Sequence, residues 1–69
     1  MFNYYRYEYL ISEGLEEEFN QNYSEAIKKY SDAITSIPYK TTGYYFRALC
    51  YVDQLNYVNA MDDLNMAIL

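Results

Sequence analysis

The chain has 69 residues, and its ten acidic and five basic side chains give a formal net charge of −5. This charge opposes binding to nucleic-acid phosphates and to anionic membranes, so neither is an expected partner. A chain of this length buries only ~60% of the surface that its unfolded form exposes, and with one cysteine and no histidine the sequence predicts a single domain, residues 1–69, that is stabilised further by association with another chain.

The first predicted helix covers residues 7–20, and residues 20–22 form the turn after it. Its apolar and small residues recur at helical spacing and are Leu10, Ile11, Gly14, Leu15 and Phe19. The tyrosine-rich segment at residues 1–7 is predicted to extend this helix backwards by about two turns, with Asn3 as the N-cap.

A second helix is predicted between Ser24, a suitable N-cap, and Pro38, which disfavours the helical conformation at Ile37. Its apolar residues lie on one face and are Ala26, Ile27, Tyr30, Ala33, Ile34 and Ile37.

A third helix is predicted over residues 44–55, after a turn at residues 41–43. A fourth follows over residues 57–69, after a turn at residues 54–56. The apolar residues of the fourth helix repeat the offsets of the second and are Ala60, Met61, Leu64, Ala67 and Ile68.

The second half of the chain repeats the first at an offset of 34 residues, through the pairs Leu10/Tyr44, Gly14/Ala48, Leu15/Leu49, Tyr23/Tyr57, Ala26/Ala60, Ala33/Ala67 and Ile34/Ile68. Small residues in both copies let paired helices approach closely, so the sequence predicts an all-α fold of two stacked antiparallel helical hairpins, four helices in total. This pattern resembles the tetratricopeptide repeat, with one repeat at residues 8–40 and a truncated second repeat at residues 41–69.

Three charged residues depart from the pattern of that family. Glu13 and Glu17 stand where leucine and an aromatic residue are usual, and Arg47 stands where leucine is usual in the second copy.

The resemblance implies a non-enzymatic adaptor that binds a partner protein or peptide in an apolar concave groove. By register the groove residues are Ile11, Leu15, Phe19, Tyr39, Tyr45, Leu49 and Val52. Some members of the family clamp the C-terminal carboxylate of heat-shock proteins. The matching positions here, which include Ile11, Leu15 and Phe46, cannot hold a carboxylate, so that activity is not expected.

Stacked repeats need about three units for stability and a polar terminal helix to cover the last apolar face. The sequence shows no such helix after its second repeat. Self-association, as a dimer, is therefore expected through Met61, Leu64, Ile68 and Leu69.

Tyrosines cluster before the first repeat, at Tyr4, Tyr5, Tyr7 and Tyr9. Two interpretations stay open for them. They form either an additional turn that caps the first helix or an exposed aromatic patch that contacts a partner.

The sequence predicts no enzyme, no cofactor site and no metal site. It contains no histidine, no glycine-rich phosphate loop and no pairing of a nucleophile with a base. Residues 16–18 and the pair Asp62 and Asp63 are interpreted as solvated acidic faces, because successive helical residues point about 100° apart. Cys50 is interpreted as a small packing residue.

An alternative function is an acidic inhibitor or chaperone-like protein that binds a basic partner through the carboxylates of the first helix. Residues 1–18 lack the features of a secretory signal, so a cytoplasmic location is expected. On that expectation the sequon at residues 22–24 is accidental.

Overall fold

The computed structural model describes residues 3–68, which form four α-helices: α1 (Tyr4–Phe19), α2 (Tyr23–Ser36), α3 (Thr42–Asp53) and α4 (Tyr57–Ile68). Each helix packs on the next, so α1 with α2 and α3 with α4 form two antiparallel hairpins that stack through α2 and α3. The predicted all-α fold is confirmed. No helix within residues 3–68 is both long and apolar enough to cross a membrane.

The helix bounds repeat the offset of the sequence. α1 and α3 end at Phe19 and Asp53, which are 34 residues apart, and α2 and α4 begin at Tyr23 and Tyr57, which are also 34 apart. α3 begins at Thr42, two residues before the predicted start.

The two turns inside the hairpins have the same geometry. Gln21 and Leu55 adopt positive φ angles of 63° and 61°. The next residue in each turn, Asn22 or Asn56, donates its backbone N–H to a carbonyl five residues earlier, at 2.8 Å. This is the Schellman ending of a helix, with a non-glycine residue at the left-handed position.

The helix caps agree in part with the predictions. The side chain of Asn3 accepts the backbone N–H of Arg6 at 2.9 Å, which confirms it as the cap of α1. The cap of α2 is Asn22 and not Ser24, since the Schellman turn makes Asn22 the last non-helical residue. α2 ends at Ser36 because Ile37, before Pro38, is extended (φ −137°, ψ 86°).

The core is built on close helix crossings. Ala26 and Ala60 are buried where α2 and α4 meet their partners. Gly14 lies against the ring of Tyr30, and Tyr30 stacks on Phe46 of α3 at 5.8 Å between ring centroids. One apolar cluster therefore joins the two hairpins; its buried members are Tyr7, Leu10, Ile11, Ala26, Tyr30, Ala33, Ile37 and Cys50.

An ion pair joins the two helices of each hairpin. Glu13 of α1 pairs with Lys29 of α2 at 3.2 Å, and Arg47 of α3 pairs with Asp63 of α4 at 2.7 Å. Asp63 is only 4% exposed, so its predicted role in a solvated acidic face is wrong; its charge is compensated by the guanidinium of Arg47. Asp62 is exposed.

Candidate protein-interaction surfaces

α1 and α3 run side by side in the same direction. Near their starts, the backbone N–H of Gly43 donates to the hydroxyl of Tyr7 at 2.9 Å. Near their ends, the thiol of Cys50 donates to a carboxylate oxygen of Glu18 at 3.6 Å. The exposed side chains of α1 and α3 therefore form one candidate surface.

Most predicted groove residues are exposed on these helices. The exposed members, called the groove from here on, are Leu15, Phe19, Tyr39, Tyr45, Leu49 and Val52. Leu15 and Phe19 are four residues apart on α1, and the α3 members are spaced four and three apart, so each set lies on one side of its helix.

Ile11 is not part of that surface. It is 5% exposed and belongs to the buried cluster. The prediction for Ile11 is wrong because its side of α1 faces the neighbouring helices, where it packs in the core with Tyr7 and Leu10.

The tyrosine cluster is divided between surface and core. Tyr4, Tyr5 and Tyr9 are exposed, whereas Tyr7 is fully buried. Tyr7 is therefore no part of a contact patch. Its hydroxyl accepts the N–H of Gly43, and the ammonium of Lys40 lies 5.2 Å from its ring centroid. Burial raises the pKa of Tyr7 above its ordinary value.

The linker between the hairpins is held against α1. The hydroxyls of Tyr4 and Tyr39 are 2.6 Å apart and share a hydrogen bond. Lys40 lies 3.7 Å from the carboxylate of Glu8 and also near the ring of Tyr4. These contacts hold Tyr39 beside Tyr4, at the start of α1.

The outer face of α4 carries a second apolar surface. Met61 and Ile68 are 58% and 80% exposed, and Leu64 is half-buried. The structure adds Tyr57 and Val58, both exposed, which were not predicted for this surface. They precede Met61 by four and three residues, and this spacing indicates that they lie on the same side of the helix as Met61. We call these five residues the α4 stripe; Leu69, the fourth predicted self-association residue, lies outside the described residues.

Glu18 faces the interior, not solvent as predicted for residues 16–18. It accepts a hydrogen bond from the hydroxyl of Tyr30 at 2.7 Å as well as the thiol contact from Cys50. Cys50 is fully buried, which confirms it as a packing residue. Burial, with the nearby charge of Glu18, raises the pKa of Cys50 to about 12.

Acidic side chains of α1 and α2 line a cleft of about 330 Å³. Its residues are Glu13, Glu16, Glu17, Glu25 and Lys29. A hydrogen bond from Tyr9, with a smaller contribution from a hydrogen bond of Lys29, lowers the pKa of Glu13 below its ordinary value. Within residues 3–68, no group of three or more histidine, cysteine, aspartate or glutamate side chains is arranged to hold a metal ion.

Ion pairing leaves the surface acidic. Three basic side chains have carboxylate partners, namely Lys29, Lys40 and Arg47. In the part of the chain that the structure describes, Arg6 and Lys28 have no such partner, whereas seven carboxylates have no basic one. The charge that ion pairs leave uncompensated is therefore mainly negative.

No protein-family model, no curated protein and no solved structure matches this chain. The resemblance to the tetratricopeptide repeat therefore stays an inference from its residues and their spacing.

Proposed function

We propose that the protein is a non-enzymatic interaction module of tetratricopeptide type, which binds a segment of a partner protein in the groove and self-associates as a dimer. The observation that carries this proposal is the exposure of six large apolar side chains along α1, the linker and α3. A surface of this kind is typical of protein-binding sites.

The charge distribution supports a partner segment that carries basic residues. Asp53 is exposed at the end of α3, and most unpaired charges of the surface are carboxylates. A segment with apolar side chains for the groove and basic residues at its flanks would satisfy both. Electrostatic attraction would then speed the association, while apolar contacts would hold the complex.

The experiment that tests the groove starts with cross-linking and mass spectrometry to identify the bound segment, followed by titration with the synthetic segment. Leu49→Glu should weaken binding by roughly tenfold or more, since it places a charge at the centre of an apolar contact. Met66→Glu is the matched control, because Met66 is an exposed apolar residue of α4 outside both apolar surfaces. Equal affinity of the Leu49→Glu variant and the control would refute the groove.

A second candidate function, an acidic inhibitor or chaperone-like protein for a basic partner, is favoured by the acidic cleft between α1 and α2. A complex led by charge should weaken steeply as salt rises, whereas a groove complex should weaken only slightly, because salt slows its association but leaves its apolar contacts in place. The pair of variants Glu16→Gln and Glu25→Gln should weaken the charge-led complex only. If the affinity changed neither with salt nor in these two variants, this candidate function would be ruled out.

Sedimentation equilibrium tests the self-association. A dimer should be present at micromolar concentration, and a well-folded monomer over the whole range would remove this half of the proposal.

A further inference from the structure

The α4 stripe has a covered counterpart within the same chain. Its residues lie 34 positions after residues of α2 that face α3, so Leu64 corresponds to Tyr30 and Ile68 to Ile34. Tyr30 and Ile34 are buried. Phe46 stacks on the ring of Tyr30, and the backbone of Gly43 lies against Ile34. The same helix face is thus sealed in the first hairpin and open in the second.

A head-to-tail contact between copies would use α1 to cover α4, because α1 is the counterpart of α3. Two α3 residues that pack towards α2 are replaced in α1 by polar ones. Phe46 corresponds to Ser12 and Cys50 to Glu16. Such a contact would press the hydroxyl of Ser12 and the carboxylate of Glu16 against Leu64 and its neighbours. The contact of α3 with α2, which it would reproduce, offers neither group a hydrogen-bond partner. Burying an unpaired carboxylate is strongly unfavourable.

A two-fold contact between two α4 helices avoids this cost. The α4 stripe contains no charged side chain. Asp63 of the same helix lies outside the stripe, because its carboxylate is bound to Arg47. In an antiparallel pair centred between Met61 and Leu64, Met61 of one copy faces Leu64 of the other, and Tyr57 faces Ile68. A chain with a net charge of −5 can approach its own copy with least repulsion through such an uncharged face.

We propose that the α4 stripe is the two-fold interface with a second copy of this chain, formed by antiparallel α4 helices. This inference deepens the self-association half of the proposed function and rests on it. A two-fold interface uses the same patch on both subunits, so the assembly closes as a dimer and does not grow into a filament.

Chemical cross-linking with a short bis-maleimide distinguishes the two geometries. Cys50 is buried, so the wild-type chain serves as the unreactive blank. The variant Met61→Cys should give a covalent dimer that grows no further, since residue 61 lies near its own copy across the axis. The double variant Ser12→Cys/Met61→Cys should stop at the same dimer. A ladder of trimers and larger species from the double variant would establish the head-to-tail contact and overturn the proposal.

Sedimentation equilibrium gives an independent readout. Met61→Glu should raise the dissociation constant of the dimer by roughly tenfold or more, while Met66→Glu should leave it unchanged. Circular dichroism should show both variants folded, because both side chains are exposed. If Met61→Glu left the dissociation constant of the dimer unchanged, the interface would lie elsewhere on the chain. If the wild-type chain were a monomer, the proposed interface would be ruled out. Neither result bears on the groove, which the Leu49→Glu titration tests separately.

Discussion

Arg47 of α3 and Asp63 of α4 are joined by two hydrogen bonds of 2.7 Å, and their counterparts 34 residues earlier, Glu13 and Lys29, form the same pair with the charges reversed. The two pairs differ in environment. The side chain of Asp63 is 6% exposed, whereas those of Glu13 and Lys29 are about a third exposed. The second hairpin therefore depends on its ion pair more than the first does.

The variant Arg47→Leu should lower the free energy of unfolding by about 3 kcal/mol, because it leaves the carboxylate of Asp63 buried without its partner. The double variant Arg47→Leu/Asp63→Leu should be close to the wild type, since apolar side chains then replace both charges. Urea denaturation measures both.

Glu13→Leu is the matched control. It should cost less than about 1 kcal/mol because it breaks a pair that water already screens. If Arg47→Leu were no more harmful than Glu13→Leu, the buried pair would not be the stronger constraint.

The sequence predicted the helices well because their signals are local. A stripe at the helical period, a proline at residue 38 and an offset of 34 residues are enough to place four helices. Burial on the flanks of those helices was predicted less well. Tyr7, Ile11 and Glu18 are covered because α3 and α2 approach those sides of α1, which periodicity within α1 does not reveal.

The partners of the charged residues were also missed. Asp63 looked like half of an acidic pair with Asp62, since its partner Arg47 lies on another helix. The repeat offset contained the missing signal. Residues 13 and 29 carry opposite charges, and so do residues 47 and 63.

Gly14 and Tyr30 form a complementary pair of a small and a large residue. A Cβ atom at residue 14 would come within 2.9 Å of three ring atoms of Tyr30. Their counterparts in the second hairpin are Ala48 and Leu64. Gly14→Ala should therefore lower the free energy of unfolding by about 1–3 kcal/mol.

The same substitution should be harmless when made in the Tyr30→Leu variant. The smaller side chain leaves room for the Cβ, and alanine is favoured over glycine inside a helix by about 1 kcal/mol. A double-mutant cycle from urea denaturation measures the coupling between the two positions. Additive effects would show that the ring does not confine residue 14.

Leu55 has a left-handed backbone conformation, which is unfavourable for any residue other than glycine. Its φ is 61° and it is 71% exposed, so its side chain contributes little packing. Leu55→Gly should raise the free energy of unfolding by about 1 kcal/mol, because left-handed backbone costs a non-glycine residue about 1–2 kcal/mol. The shift in melting temperature should be about 4–8 °C.

Gln21→Gly, at the matching turn of the first hairpin, should act in the same direction. Asn20→Gly is the control, because Asn20 has an ordinary φ of −84°. There glycine only increases the freedom of the unfolded chain, so that variant should be neutral or less stable. Stabilisation by Asn20→Gly as well would rule out the conformational explanation.

The buried thiol of Cys50 should make the fold sensitive to alkali. Its pKa is raised to about 12 from an ordinary value of 9.0, chiefly by burial. Above pH 9 the unfolded chain loses the thiol proton while the folded chain keeps it, so the unfolded state binds fewer protons. Stability is therefore full below pH 9 and falls as pH rises towards 12. Burial and Glu18 also raise the pKa of Tyr30 from 10.0, which adds to the loss above pH 10.

Urea denaturation at a series of pH values from 8 to 11 measures this dependence. Cys50→Ser removes the thiol but keeps a hydrogen-bond donor to Glu18, so it should flatten the dependence between pH 9 and 10 and leave the steeper part above pH 10, where Tyr30 acts. In the native wild-type chain at pH 8, a thiol reagent should modify Cys50 only as fast as the fold opens, because the sulfur is buried. Rapid modification would show that the thiol is accessible to solvent in the folded state. An unchanged slope in Cys50→Ser between pH 9 and 10 would show that Cys50 does not cause the loss of stability.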